Sequence, residues 1–396
     1  MATFERWLLP QGIEEALPEQ AARLESLRRN LLDVYACWGY QLVMPPFIEY
    51  LESLLTGTGH DLDLQTFQLI DQLTGRPMGI RADITPQVAR VDAHRLKKDA
   101  PNRLCYIGTV LHTRPDGFGG SRSPLQVGAE LYGHAGIESD LEIISLMLET
   151  FKQAGINQLV LDIGHVGIFR GLAAQVGLND EQEAALFEML QRKAVPEIAT
   201  FLEQLDISDK SRQMLASLAE LHGGESCLDQ AASILAAADD SVRQALDYLK
   251  QVAVKVKQAH AHIDLHFDLS ELRGYHYHTG ILFAVFVPGQ GQEIARGGRY
   301  DDIGRVFGRA RPATGFSTDL KSLVNLSDNQ SVNSVSSAIF APSRDDPSLG
   351  AVITELRAQG QIVIVELPGQ KADASAMGCN QQLVHRDGQW SVEGIA

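Results

Sequence analysis

The stretch "HTRPDGFGGSRSPLQVGAE", residues 112–130, governs how the rest of the chain is read. Its four glycines stand beside Arg114 and Arg122, which suggests a cradle for an anion. The glycines do not form the GxxxxGK[ST] phosphate loop, however. The flanks explain the arrangement better. "RLCYIGTVLHTR" (103–114) and "LQVGAELYGH" (125–134) both read as strands, and they bracket the loop as antiparallel partners.

Helices and strands extend this hairpin in both directions. Residues 18–38 have helical spacing, with Leu24, Leu27, Leu31, Val34 and Tyr35 on one face and Gly39 as the stop. "YQLVMPPFIEY" (40–50) is a strand interrupted by prolines, and residues 64–83 read as a hairpin turning near Thr74-Gly75. "TPQVARVDAHRLKK" (85–98) predicts a helix, with Thr85 as its cap and Pro86 at the first position. A helix at 139–155 and a strand at 156–165 follow. From about 167 to 260 the chain is almost wholly helical, as an inserted module would be. Strands return at 262–269, 280–288 and 292–298. A helix is expected at 301–308, then a short strand and a helix within "TGFSTDLKSLVNL" (314–326). Residues 327–335 form a Ser/Asn-rich linker. Residues 336–396 read as a small α/β appendage. The core, residues 1–326, is therefore α+β, an antiparallel sheet flanked by helices. A dinucleotide fold is disfavoured, because the one GxGxxG-like segment, "GQGQEIARGG", lies between strands and opens no helix.

Composition narrows the function. The chain has 396 residues with 34 Lys+Arg against 50 Asp+Glu, a formal charge of -16. Nucleic-acid binding leaves a basic footprint, so the balance argues against it. The four cysteines are scattered without a CxxC pair, which fits a reducing cytoplasm and indicates no zinc ribbon. No apolar leader or membrane span is visible. His260, His262 and His266 lack accompanying cysteines or an HExxH helix, so no metal site is expected.

Four clusters carry possible chemistry. "GIRADIT" (79–85) places Arg81, Asp83 and Thr85 at alternate positions of a strand end, and "QVGAE" places Gln126, Gly128 and Glu130 on one strand face. "ELRGYHYHTG" (271–280) gathers Arg273, Tyr275, His276, Tyr277 and His278 around Gly274. "ARGGRYDD" (295–302) offers Arg299 and Tyr300 beside two glycines. Asp83, Gln126 and Glu130 suit an ammonium or imidazole N–H, and Arg273 suits a carboxylate. Such a set describes a pocket for a zwitterionic amino acid with a hydrogen-bonding side chain. Alternating polar residues on a strand most often mark a solvated face, and a strand can also bury Asp83 against Arg81 as a structural ion pair.

Taken in order, the clusters resemble the catalytic core of the class II histidyl-tRNA synthetases, from about Leu9 to Leu326. "WGYQLVMPPFIEY" is similar to motif 1, which carries a dimer interface in that family. "IRADIT" is similar to RPEGT, and residues 105–130 to the ATP-binding motif 2 hairpin. "LRGYHYHTGILFAVF" resembles the histidine-specific RGLDYY segment, "ARGGRYDDI" resembles AGGRYDGL, and "TGFSTDLKSLVNL" resembles motif 3. The resemblance implies a histidine site of Asp83, Thr85, Gln126, Glu130, Arg273, Tyr277, His278 and Tyr300, with His278 in place of a tyrosine.

The departures fall on the nucleotide side. His112 stands where motif 2 has its α-phosphate arginine, Arg114 replaces the acidic adenine contact, and Ser322 replaces the motif 3 arginine. Losing one fixed donor to developing charge costs about 2.7–4 kcal/mol in comparable sites, so aminoacylation is not expected. Only 70 residues follow Leu326, too few for the synthetases' anticodon domain, and they hold no basic cluster. A synthetase-like core of this kind closely resembles the regulatory subunits of ATP phosphoribosyltransferase. That resemblance implies no catalytic residues, no cofactor and no tRNA. It implies instead a hetero-octamer with the short-form catalytic subunit, needed for the first step of histidine biosynthesis, and feedback inhibition by L-histidine. A divergent synthetase, an amino-acid transferase and a stand-alone histidine sensor are the alternatives.

Overall fold

The computed structural model describes residues 7–56, 60–115, 120–275, 277–327, 338–370 and 373–395. The chain divides into two compact units, Met1–Asp328 and Asn329–Ala396. Residues 328–337, which include most of the expected linker, lie outside the described residues.

The first unit opens with α1 (Pro18–Cys37), whose buried Leu24, Leu31 and Tyr35 recur at helical spacing. Gly39 follows with φ of 84°, the left-handed conformation that ends the helix. Next come β1 (Gln41–Leu42), β2 (Ile48–Tyr50), α2 (Leu51–Leu54), α3 (His60–Gln65), β3 (Phe67–Ile70) and β4 (Pro77–Ile80). Strands β2, β4 and β3 form a small antiparallel sheet. The helix expected at 85–98 begins as α4 (Thr85–Arg90), then widens into a π-helical turn over Val91–Leu96 and stops at Lys97, φ 50°. Thr85 is not its cap. Its backbone N–H donates to Asp83 Oδ1 at 3.0 Å, in a turn preceding the helix.

The central hairpin is β5 (Asn102–Thr109) against β6 (Leu125–Tyr132). Then follow α5 (Ile137–Gln153) and β7 (Val160–His165). The insertion comprises α6 (Val166–Gln175), α7 (Asp180–Gln191), α8 (Val195–Glu203), α9 (Asp209–Ser217), β8 (His222–Gly223), α10 (Ser226–Ile234) and α11 (Asp240–Ala259). The unit finishes with β9 (Asp264–Asp268), β10 (Ile281–Phe286), β11 (Ala295–Arg299), β12 (Ala313–Asp319) and α12 (Leu320–Leu326). The helix expected at 301–308 is a 3-10 helix, Ile303–Phe307.

The main sheet has nine strands in the order β1-β5-β6-β12-β11-β10-β7-β9-β8. Neighbours are antiparallel except β1–β5 and β7–β9, so the sheet is mixed rather than purely antiparallel. Period-two alternation divides its faces. On β6, Val127, Ala129 and Leu131 join the main core with Ile143, Ile144, Met147 and Phe151 of α5. Tyr132 faces the other way, into a second core with Leu104, Tyr106, Tyr300 and the α4 residues Val88 and Ala89. The insertion shares the main core. Val242, Leu246, Leu249, Val252 and Val256 of α11 are all buried there.

The second unit is a four-stranded sheet, formed by β13 (Ala338–Ala341), β14 (Ile362–Val365), β15 (Cys379–Arg386) and β16 (Gln389–Gly394), with α13 (Pro347–Ala358). Its order is β14-β13-β15-β16, and Ile339, Leu349, Ile353, Val363 and Leu383 fill its core. Among the described residues, no helix is long and apolar enough to cross a membrane.

Candidate functional site

A buried carboxylate sits on the second face of the main sheet. Glu130 is 1% exposed. The Tyr106 hydroxyl donates to its Oε1 at 2.9 Å, and the Tyr300 hydroxyl donates to Oε2. Burial pushes its carboxyl up to about 8; the charge of Asp83 adds to this, and the tyrosine hydroxyls oppose it. No Arg, Lys or His forms an ion pair with it among the described residues.

Backbone close to β6 assembles the rest of the network. Gln126 Oε1 accepts from the Ile84 N–H at 2.9 Å, and Gln126 Nε2 donates to Asp83 Oδ1 at 2.7 Å. Thr85 Oγ1 lies 2.9 Å from the Tyr106 hydroxyl. Asp83, Thr85, Gln126, Glu130 and Tyr300 are thus joined through shared hydrogen bonds. Asp83 reaches this network from the turn before α4, not from a strand face. Arg81 is not its ion partner here, since it donates to the carbonyls of Thr109 and Pro45 at 2.9 and 2.8 Å. Tyr277 stacks on Tyr300 with ring centroids 4.9 Å apart, and its hydroxyl is buried without a hydrogen-bond partner among the described residues.

Tyr106 did not stand out in the sequence. The signal for it is the register, which pairs Tyr106 with Gly128 and Glu130 with Gly315. A Cβ at residue 128 would fall 2.5 Å from the Tyr106 hydroxyl, and one at 315 would fall on the Glu130 carboxylate. Each glycine makes room for a large polar side chain on its neighbour strand.

The 271–280 segment divides. His278 is wedged between two glycines: a Cβ at Gly274 would lie 2.7 Å from its ring, and one at Gly298 would lie 2.8 Å from it. Burial pushes its imidazole down to about 4, so it is neutral near pH 7. The ring meets Tyr277 edge-on at 5.3 Å. Arg273 does not join the carboxylate network. Its guanidinium is exposed and tied to Glu271 at 2.8 Å and to Glu293. Tyr275 turns toward the insertion and donates to Glu183 at 2.7 Å, and His276 lies outside the described residues.

Two of the three positions expected to have lost nucleotide contacts, His112 and Ser322, carry internal bonds. His112 is buried, with Nε2 2.9 Å from the Ala82 carbonyl oxygen. Ser322 Oγ donates to Asp319 Oδ2 at 3.0 Å. Lys321 Nζ donates to the Ser123 carbonyl at 2.7 Å, tying α12 to the end of the motif 2-like loop. Arg122 Nε donates to the His112 carbonyl at 3.0 Å, and Arg114 is exposed. Residues 116–119 of the loop lie outside the described residues. Of the histidines weighed as metal ligands, His260 Nε2 meets Ser145 Oγ at 3.0 Å and His266 Nδ1 meets Asp162 at 2.8 Å.

The network holds two carboxylates, one of them deeply buried and without a cationic partner among the described residues, beside stacked aromatic rings. It suits a small organic cation, whose charge would complete the site.

Residues 12–323 match the histidyl-tRNA synthetase family model, and residues 336–393 match the ATP phosphoribosyltransferase subunit HisZ C-terminal domain. A Thioalkalivibrio sulfidiphilus protein named ATP phosphoribosyltransferase regulatory subunit is 62% identical, with 100% of both chains covered. One of the same name from Alkalilimnicola ehrlichii is 60% identical over 97% of this chain and 96% of its own. Among solved structures, an ATP phosphoribosyltransferase regulatory subunit/histidyl-tRNA synthetase from Bacillus halodurans superposes with a TM-score of 0.82. It is 27% identical and covers 94% of this chain and 96% of that one. The chain belongs to the ATP phosphoribosyltransferase regulatory subunit family.

Proposed function

We propose that this regulatory subunit senses L-histidine at the Glu130 network and passes that state to a short-form catalytic ATP phosphoribosyltransferase. Free, it activates the catalytic subunit for the first step of histidine biosynthesis. With histidine bound, it favours an inhibited arrangement of the complex, because the ligand binds the two arrangements with different affinity.

One observation carries the reading. Glu130 is a buried carboxylate without a cationic partner among the described residues, held by Tyr106 and Tyr300 and linked through Thr85 to Asp83. An ammonium or imidazole N–H satisfies such a group. Asp83, Thr85, Gln126, Glu130, Tyr277, His278 and Tyr300 form the histidine wall in this reading. Arg273 reaches the ligand carboxylate only by leaving Glu271 and Glu293. The reading also includes a hetero-octamer with the catalytic subunit, self-association through the motif 1-like segment, a cytoplasmic location and no binding of tRNA.

Calorimetric titration of histidine and of ATP into the purified chain tests the sensor, and assay of a short-form catalytic subunit with and without this chain tests the activation. Histidine binding, no ATP binding and histidine-sensitive activation are expected. Histidine-dependent exchange between pyrophosphate and ATP would instead support a divergent synthetase.

A further inference from the structure

The wall carrying Tyr277 and His278 has little structure of its own. The described residues between β9 and β10 form no strand, and their turn is closed by the Tyr277 and His278 N–H groups, both donating to the Gly274 carbonyl at 2.8 Å. Gly274 has φ of 68°, so the turn depends on a left-handed residue. Part of what keeps the segment in place comes from β11, where the Arg299 carbonyl accepts from the Thr279 N–H at 2.8 Å and lies 3.3 Å from His278 Nδ1, and part comes from the helical insertion. Arg170 of α6 donates from one nitrogen to two carbonyls of the segment, Tyr275 at 3.0 Å and His278 at 3.2 Å. Its guanidinium also lies 4.8 Å from the Tyr275 ring centroid. That ring packs between Phe169 of α6 and Phe187 of α7, at 5.4 and 5.3 Å, and its hydroxyl bonds Glu183 of α7.

We infer that Arg170 is a positioning residue for the ligand site, and that the insertion, through Arg170 and the Tyr275 anchor, holds the Tyr277–His278 wall in its binding position. The bonds to the two carbonyls straddle Tyr277, whose stacking on Tyr300 continues the wall to Glu130. The inference rests on the histidine reading above. By linkage, a ligand that presses on this wall also steadies α6 and α7.

The experiment compares full-length wild type, Arg170→Ala, Arg170→Lys and Tyr275→Phe. Histidine affinity is read by calorimetry, and amide hydrogen exchange is followed over 166–191 and 275–279 with and without histidine. If the anchored wall is populated about one tenth of the time in Arg170→Ala, its histidine Kd rises about tenfold, since apparent affinity scales with the competent fraction. Tyr275→Phe, a milder change that serves where Arg170→Ala does not fold, should raise the Kd by about threefold on the same arithmetic. Arg170→Lys, which keeps a cation and donors, should restore most of the affinity. Histidine should slow exchange in α6 and α7 of wild type and not of Arg170→Ala. Unchanged affinity in Arg170→Ala, or ligand protection of α6 and α7 that survives it, overturns the inference while leaving the histidine site standing. Wild type that does not bind histidine removes both. Free Arg170→Ala should also exchange faster at 275–279, and equal rates there count against the anchor whatever the ligand does.

Discussion

Glu130 and Gly315 are partners across the β6–β12 ladder, and the Glu130 carboxylate occupies the space that a side chain at residue 315 would need. The buried acid exists only because its neighbour has no Cβ. A Gly315→Ala variant must push Glu130 off its tyrosine hydroxyls, and the new Cβ would also crowd the Ala129 carbonyl at 2.8 Å. Overpacking of this kind costs about 1–3 kcal/mol. Denaturant unfolding should show that loss, and histidine binding should disappear. Retained affinity in a stably folded variant would falsify the placement of Glu130 in the ligand wall.

Glu130 should also couple ligand binding to pH. Burial first, and the charge of Asp83 further, hold its carboxyl at about 8 in the folded chain, above the ordinary 4.5. The unfolded chain therefore binds fewer protons between these values, so the contribution of Glu130 to stability is full below about 4.5 and is lost as pH rises through about 8. A bound cation favours the ionised form, so histidine should expel a proton near pH 7. Calorimetry in buffers of different ionisation enthalpy measures that release. Glu130→Gln should abolish it and weaken binding, and equal heats in every buffer would contradict the linkage.

The ion pair beneath the site is a stability element. Arg299 Nη2 lies 3.0 Å from Asp140 Oδ1 and Nε lies 3.1 Å from Oδ2, with the Asp140 side chain fully buried. Burial raises the Asp140 carboxyl, and the Arg299 guanidinium opposes that rise. Arg299→Ala leaves a buried carboxylate without its cation, bonded still by the Tyr248 hydroxyl, at a cost of about 3–5 kcal/mol. The denaturation midpoint should fall accordingly at neutral pH. A midpoint unchanged from wild type would show that the Tyr248 hydroxyl suffices to hold Asp140 without a cation.

Nucleotide chemistry should not return by restoring arginines alone. His112 is packed against the Ala82 carbonyl, and Ser322 is bonded to Asp319, which also receives the Leu125 N–H at 2.9 Å. The double variant His112→Arg, Ser322→Arg therefore breaks internal bonds at both sites, and Arg114 still stands where adenine had an acidic partner. We expect lower thermal stability and no pyrophosphate–ATP exchange above the wild-type background. Measurable exchange would show that the nucleotide pocket survives.

Much of this molecule is readable from local pattern. Helical spacing placed Leu24, Leu31 and Tyr35 on the buried face of α1, and strand alternation placed Gln126 and Glu130 together on β6. These follow from the 3.6- and two-residue repeats of the backbone, which need no knowledge of distant residues. Motif order added an expectation, that an amino-acid side of the site stands apart from a nucleotide side without its cationic clamps. Three features lay beyond local pattern. Tyr106 became a partner of Glu130 only through a register that sets Gly128 opposite it. The parallel β7–β9 pair joins strands separated by the whole insertion. Arg273, placed in the pocket by motif, is held outside the network by Glu271 and by Glu293 from beyond β10. Which neighbour a strand takes, and which of two carboxylates an arginine meets, depends on long-range packing and competing charges, and neither has a period in the sequence.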